Sequence, residues 1–293
     1  MKTEKVFIAF LVAPSLILLV MVVLYPFLYN VVLSFGNMNL TRIRAWNVIG
    51  IRQYVKIFTE SAGFYEVFLK TIVWTFVNVT FHVLLGVFLA LILNRSIKGK
   101  SVFRTFLILP WAIPQYIVAL TWRGMFNYEY GSFNLILTKY LNLPAVEWLR
   151  SPTEAFLACI LTNVWLGFPF MMVVALGALQ SIPGELYESA DIDGAKWFHK
   201  LRTITLPLIR PIMIPAITLG MIWTFNNLNI VWLVSNTGEP SDKTHILVSF
   251  VYKAAFNFYN FSYAAAMSMV IFVILLAFSL FFLKRSRATE AAY

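Results

Sequence analysis

The sequence predicts an all-α, polytopic membrane protein of six transmembrane helices. Three observations carry this. Of 293 residues, 60% are hydrophobic and only 12% charged, where a soluble domain has about 25% charged residues. The charges bracket six uncharged windows, at residues 6–41, 71–94, 105–122, 155–184, 211–238 and 254–283. Each window approaches the roughly 20 apolar residues a spanning helix needs, and backbone in lipid must satisfy itself, which over such runs favours helices over barrel strands.

The windows can be taken in order. The first follows Lys2 and Lys5 and begins like a secretion signal. It outruns the roughly 7–15 residues of a signal core, and no small-residue cleavage site follows at the right distance. It is therefore read as an uncleaved first helix. The second contains His82, the one clearly intramembrane ionisable side chain, read as a neutral, hydrogen-bonded packing residue. The third is the shortest. The fourth holds Cys159, the only cysteine, so no disulfide or cysteine-based metal site forms within the chain. The fifth and sixth are long. Between windows, residues 50–58 suggest a short interfacial helix, 128–150 an irregular outer loop with Gly131, Asn142 and Pro144, and 236–242 a turn with Gly238 and Pro240. The whole is read as one transmembrane domain, 1–293.

Six crossings put both ends on one side. The positive-inside bias is slight, but the tight clusters Arg95, Lys98, Lys100, Arg104 and Lys284, Arg285, Arg287 mark that side as cytoplasmic. The net charge of +10 comes from basic residues scattered at segment ends, which argues against nucleic acid.

Much chemistry is missing. No window contains Asp, Glu, Lys or Arg, groups that ion-coupled carriers commonly need within the membrane. Gly99-Lys100-Ser101 looks like the end of a phosphate loop, but Asn94 stands where the first glycine belongs. His82, His199 and His245 fall in different segments, and neither a metal spacing nor a nucleophilic triad is apparent. No cofactor is expected, and energy has to arrive from another chain.

Residues 183–207 are the most polar stretch between two apolar ones. Pro183 can open a helix at no hydrogen-bond cost. Glu185, Glu188 and Asp191 then lie near its positive end, and Lys196, Lys200 and Arg202 come later. Gly194 would be a flexible joint before a second short helix around 195–201, with Pro207 re-entering the membrane. Leu186, Ala190, Trp197 and Phe198 offer apolar faces that want a partner. An ordinary helix lying on the bilayer surface is the alternative.

The run Glu188-Ser189-Ala190-Asp191-Ile192-Asp193-Gly194, with Ile204-Thr205-Leu206-Pro207 after it, resembles the EAA loop of ABC-transporter permeases: Glu-Ala-Ala, three residues, Gly, nine residues, Ile, one residue, Leu-Pro. Only Ser189 departs from it. Other stretches, among them Tyr25-Pro26, Leu109-Pro110, Trp122-Arg123 and Phe225-Asn226-Asn227, are similar to the MalF-like sugar-importer permeases. The resemblance implies a type I ABC-importer (MetI-like) permease fold in the cell inner membrane. It implies that Glu188, Ser189, Ala190, Asp191, Gly194, Leu206 and Pro207 couple to an ATPase. It maps cargo contacts onto Asn163, Trp165, Gly167 and Phe170, and onto Gly220, Trp223, Thr224 and Asn227, where the match is partial. A break at Gly167 and Pro169 would bring Trp165 and Phe170 to one face; packing or lipid-facing rings are the alternative. The implied partners are a second homologous permease, two ATP-binding subunits that use ATP and Mg, and an extracytoplasmic sugar-binding protein, in contact with membrane lipids. The expected function is uptake of a maltose-, trehalose- or oligosaccharide-like sugar. A glycerol-3-phosphate permease, an ion-coupled carrier and a membrane sensor or assembly factor stay open as alternatives.

Overall fold

The structure, a computed structural model, describes residues 2–60 and 63–290, with side chains described from 10 to 282 within those ranges and at 284. The elements are α1 (Lys2–Leu19), α2 (Tyr25–Ser34), α3 (Arg52–Val55), α4 (Phe64–Asn94), α5 (Lys100–Ala112), α6 (Gln115–Met125), α7 (Ser132–Lys139), α8 (Pro152–Gln180), α9 (Gly184–Ile192), α10 (Trp197–Lys200), α11 (Leu206–Phe225), α12 (Leu228–Val234), α13 (Leu247–Phe256) and α14 (Phe261–Glu290). Single π turns join α1 to α2 and α10 to α11. Among the described residues there is no strand, only an isolated bridge between Gly36 and Val48. The all-α expectation therefore holds.

Among the described residues, five helical stretches are long and apolar enough to span a membrane: Phe10–Ser34, Phe64–Asn94, Pro152–Gln180, Trp197–Phe225 and Phe261–Phe282. The third window is not one straight span. Ile113 is extended (φ −84°, ψ 135°), the conformation forced on a residue before proline. Pro114 then opens α6, and the α5 and α6 axes diverge by 94°. The fifth window also differs. Its helix starts earlier, at Trp197, and runs through Pro207, Pro211 and Pro215 without a break. It stops at Phe225, and α12 begins again after Asn226-Asn227. The loop at 128–150 contains the helix α7.

The chain divides into two compact units, Met1–Tyr65 with Phe250–Ile274, and Glu66–Ser249 with Leu275–Tyr293. In the first, Ser262 Oγ accepts from Met38 N–H at 2.8 Å and Gln53 donates to the Gly36 carbonyl at 3.0 Å. Phe27 and Phe272 pack at 5.1 Å. Residues 50–58 form α3 and the start of a π turn, as the sequence suggests.

The second unit has two apolar clusters. One gathers Trp74, Val118, Ala119, Phe126, Ala158, Cys159, Leu166 and Ile230. The other gathers Ala90, Leu93, Met171, Ala175, Leu179, Ile209 and Met213. Both use α4 and α8, at opposite ends of each helix. α5 supplies Leu107 and Ile108 to the second cluster, while α6 belongs to the first. The bent pair thus runs from one end of the unit to the other. The outer loop is pinned to the first cluster by Asn134, which donates to the Tyr128 and Val146 carbonyls and accepts from Val146 N–H and the Trp148 indole.

Candidate functional site

Between the two clusters lies a cavity of about 500 Å³, bounded by Leu166 on one side and Met171 on the other. It owes its position to helical periodicity. Residues three and four apart share a face, so α8 presents Asn163, Gly167 and Phe170 together. α11 adds Gly220, Trp223 and Thr224, and Asn227 follows at the break. Seven of the eight residues expected from sequence thus meet at one cavity.

Trp165 does not. α8 is unbroken from Pro152 to Gln180, with Pro169 inside it. Proline removes one backbone donor, and neighbouring helices in a bundle make that tolerable. Without a break, Trp165 stays on another face and packs on Trp122 at 5.6 Å, within the aromatic group of the first cluster. The expected interruption at Gly167 and Pro169 is therefore corrected.

The cavity has further lining groups that sequence reasoning passed over: Trp111, Gln115, Asn226 and Asn229. Trp111 and Gln115 flank the Ile113-Pro114 break, a signal visible in the sequence. Trp111, Phe170 and Trp223 form a continuous aromatic wall, with ring centroids 5.9 and 5.3 Å apart. The same cavity is lined by an amide pair. Asn227 Nδ2 donates to Asn163 Oδ1 at 2.9 Å, and Asn227 Oδ1 accepts from Ile230 N–H, capping α12. His82 Nε2 bonds the Asn163 carbonyl at 2.9 Å. Trp74 donates to the Thr224 carbonyl at 2.8 Å. Asn163 is 3% exposed, and its Nδ2 has no acceptor among the described residues. A buried, unpaired donor costs about 1–3 kcal/mol, so this wall holds an unsatisfied group. Among the described residues, no Asp, Glu, Lys or Arg lines the cavity.

The polar segment has a different geometry. Pro183 precedes α9, and Glu185 lies in its first turn. The helix ends in a Schellman cap: Ala195 N–H bonds the Ala190 carbonyl at 2.9 Å and Gly194 N–H the Asp191 carbonyl at 3.1 Å. Gly194 has φ +73°, a left-handed conformation that glycine adopts at least cost. Gly194 thus closes α9 as its cap. Ser189, the departure from the motif, returns its hydroxyl to the Glu185 carbonyl at 2.8 Å. The second short helix is α10, at Trp197–Lys200. Pro207 sits in the first turn of α11, within a span that already began at Trp197. Two contacts tie α9 to that span: Lys200 to Asp191 at 2.6 Å, and Tyr187 hydroxyl to Thr205 Oγ1 at 2.9 Å. Ile192 (87% exposed), Phe198 (66%), Trp197 and Leu186 are left open.

His245 makes a Ser-His-Asp grouping, with Ser249 Oγ at 3.0 Å and Asp242 at 3.3 Å. Ser249 is wholly buried, and its hydroxyl also engages the Ile246 backbone. It holds the turn together rather than serving as a nucleophile. Among the described residues, no three His, Cys, Asp or Glu side chains converge as metal ligands.

Comparison with known proteins places this architecture. Residues 82–286 match the family described as binding-protein-dependent transport system inner membrane component. The galactooligosaccharides transport system permease protein GanP of Bacillus subtilis is 36% identical over 289 residues, covering 94% of this chain and 69% of that protein. The trehalose/maltose transport system permease protein MalF of Thermococcus litoralis is 38% identical over 242 residues, covering 82% and 80%. Among solved structures, a chain of the bacterial alginate ABC transporter, in complex with alginate pentasaccharide-bound periplasmic protein, superposes with a TM-score of 0.85 at 23% identity, covering 98% and 96%. At that identity the match speaks for the fold. The chain belongs to the binding-protein-dependent transport system inner membrane component family and is a multi-pass permease subunit of an ABC transporter.

Proposed function

We propose that this chain forms half of the pathway of an ATP-driven importer for a neutral sugar. The observation that carries the reading is the cavity lining: aromatic rings together with amides, a hydroxyl and an imidazole, with no formal charge. Sugars present apolar C–H faces to rings and hydroxyl rims to groups that donate and accept. Glycerol-3-phosphate carries a charged group, whose burial needs a countercharge, so it fits this lining less well. The relatives named for galactooligosaccharide and trehalose/maltose transport point the same way.

The cavity also argues for a second permease. Trp111 and Trp223 are each 51% exposed, and Gln115, Asn226 and Asn229 are open beside them. Amides at membrane depth are costly against hydrocarbon, so a homologous subunit covers this face and completes the site. On the other side, Trp197, Phe198 and Ile192 around Glu188 form the seat for one of two ATP-binding subunits. An extracytoplasmic sugar-binding protein delivers cargo, and both termini are cytoplasmic. ATP binding moves α9; its ties to Thr205 and Lys200 carry that motion along the Trp197–Phe225 span, whose far end bears Trp223 and Thr224. The bundle then alternates between outward and inward access, each state selected by the ligand it binds better.

The test is ATP-driven uptake of a sugar panel in proteoliposomes containing the partner subunits. Asn163→Ala and Glu188→Ala are both expected to abolish uptake, with stimulation of ATPase activity by the binding protein lost only in Glu188→Ala. Uptake of glycerol-3-phosphate in place of sugars would overturn the cargo, and uptake indifferent to ATP would overturn the importer.

A further inference from the structure

His82 lies in the middle of α4 and is 4% exposed, yet it is part of the cavity wall. An imidazole at this depth is tolerated only with a hydrogen bond. It has one: Nε2 lies 2.9 Å from the Asn163 carbonyl on α8. A carbonyl only accepts, so the proton sits on Nε2 and Nδ1 remains as the ring's acceptor. The second constraint comes from Gly167, one helical turn beyond Asn163. A Cβ built at Gly167 would overlap the His82 ring at Cε1 and Nε2. The ring therefore occupies the space a side chain of α8 would otherwise fill. One end of the imidazole is tied and one face is seated, so it cannot yield to cargo as a lipid-facing side chain would.

We propose that His82 is a specificity-determining residue: seated in the Gly167 notch and tied to Asn163, it forms a rigid wall that sets how long a saccharide the cavity admits. The inference rests on the sugar-permease reading above. It differs from a packing role in one respect. A packing histidine affects all cargoes alike, whereas a limiting wall affects large ones more than small ones.

The experiment uses the assembled transporter in proteoliposomes and measures ATP-driven uptake along a series of di-, tri- and tetrasaccharides. His82→Ala opens the wall, and the ratio of tetrasaccharide to disaccharide kcat/KM rises by about 10-fold, the scale on which a pocket discriminates small differences in size. Gly167→Ala drives the ring into the cavity and lowers that ratio. In the double variant no ring is left to displace, so Gly167→Ala no longer lowers the ratio and it stays near that of His82→Ala, a non-additivity expected of groups in contact. His82→Gln, which keeps a donor for the Asn163 carbonyl, gives the same reading at smaller amplitude and serves if His82→Ala fails to assemble. A ratio that stays constant while uptake of every sugar falls in parallel would overturn the proposal, as would strict additivity in the double variant. A parent transporter that carries no sugar would overturn the underlying reading instead.

Discussion

The segment at 183–207 and the cavity use polar and aromatic residues in opposite ways. In the segment, Glu188 and Asp191 face water, and Trp197, Phe198 and Ile192 are left exposed beside them. In the cavity the polar groups are uncharged, with His82, Asn163 and Thr224 buried, and the rings of Trp111, Phe170 and Trp223 line the space. Charged rims around open apolar rings suit a protein partner, because the rings gain from burial while the charges stay wet. Uncharged amides gathered with aromatic rings in one cavity suit a small neutral ligand. The two regions meet on one continuous helix, so they should fail separately when altered: the cavity through stability and binding, the segment through coupling alone.

The largest effect expected from that contrast is at Trp74. It is fully buried, and its indole holds the Thr224 carbonyl at the cavity wall. Trp74→Ala leaves a void and is expected to cost about 3–5 kcal/mol, read as a lowered thermal unfolding midpoint of the purified complex together with lost sugar uptake. An unchanged midpoint would break the view that the cavity hangs on the apolar core. Gly194→Val comes next. A β-branched residue at φ +73° costs roughly 1–2 kcal/mol and undoes the α9 cap. Uptake is expected to fall about 10-fold, one factor of ten per 1.4 kcal/mol, with equilibrium sugar binding unchanged. Sugar binding lost in parallel would erase the separation between the two regions. Asn227→Ala should show the reverse. It removes the donor to Asn163 and the cap of α12, each worth about 1 kcal/mol. Sugar binding weakens about 10-fold while association with the ATP-binding subunits, measured by co-purification, stays intact.

The same contrast decides what was legible in the sequence. The segment at 183–207 is local: Glu188, Gly194 and Pro207 lie within twenty residues, and the sequence around them outlines two short helices, α9 and α10, with a glycine between. The cavity is assembled from α4, α5, α6, α8, α11 and α12. Its α8 face follows from periodicity once the helix is taken as continuous. Asn163, Gly167 and Phe170 recur at steps of four and three, while Trp165 is turned about 200° from Asn163 at 3.6 residues per turn. The expectation for Trp165 required a break that does not occur. Trp111 and Gln115 escaped for the converse reason: a window defined by absent charges does not register the bend at Pro114. The six windows located the apolar segments, but their ends were set by charges. The helices instead end where backbone geometry demands, before Pro114 and at Asn226-Asn227.

The smallest effects concern the two ties between α9 and the following span, and their order tests whether force passes through them. Lys200 and Asp191 pair at 2.6 Å, but the aspartate side chain is 62% exposed. Such pairs contribute about 0.2–1 kcal/mol, so Lys200→Ala should leave uptake within about 2-fold and its loss should be masked further by salt. Tyr187 reaches Thr205, which is buried. Tyr187→Phe removes a hydrogen bond worth about 0.5–1.5 kcal/mol without removing the ring, and uptake should fall by more than in Lys200→Ala at equal sugar binding. If Lys200→Ala proves the more damaging of the two, the link between α9 and the span is electrostatic and exposed. The hydroxyl contact at Thr205 would then be packing that the transport cycle does not use.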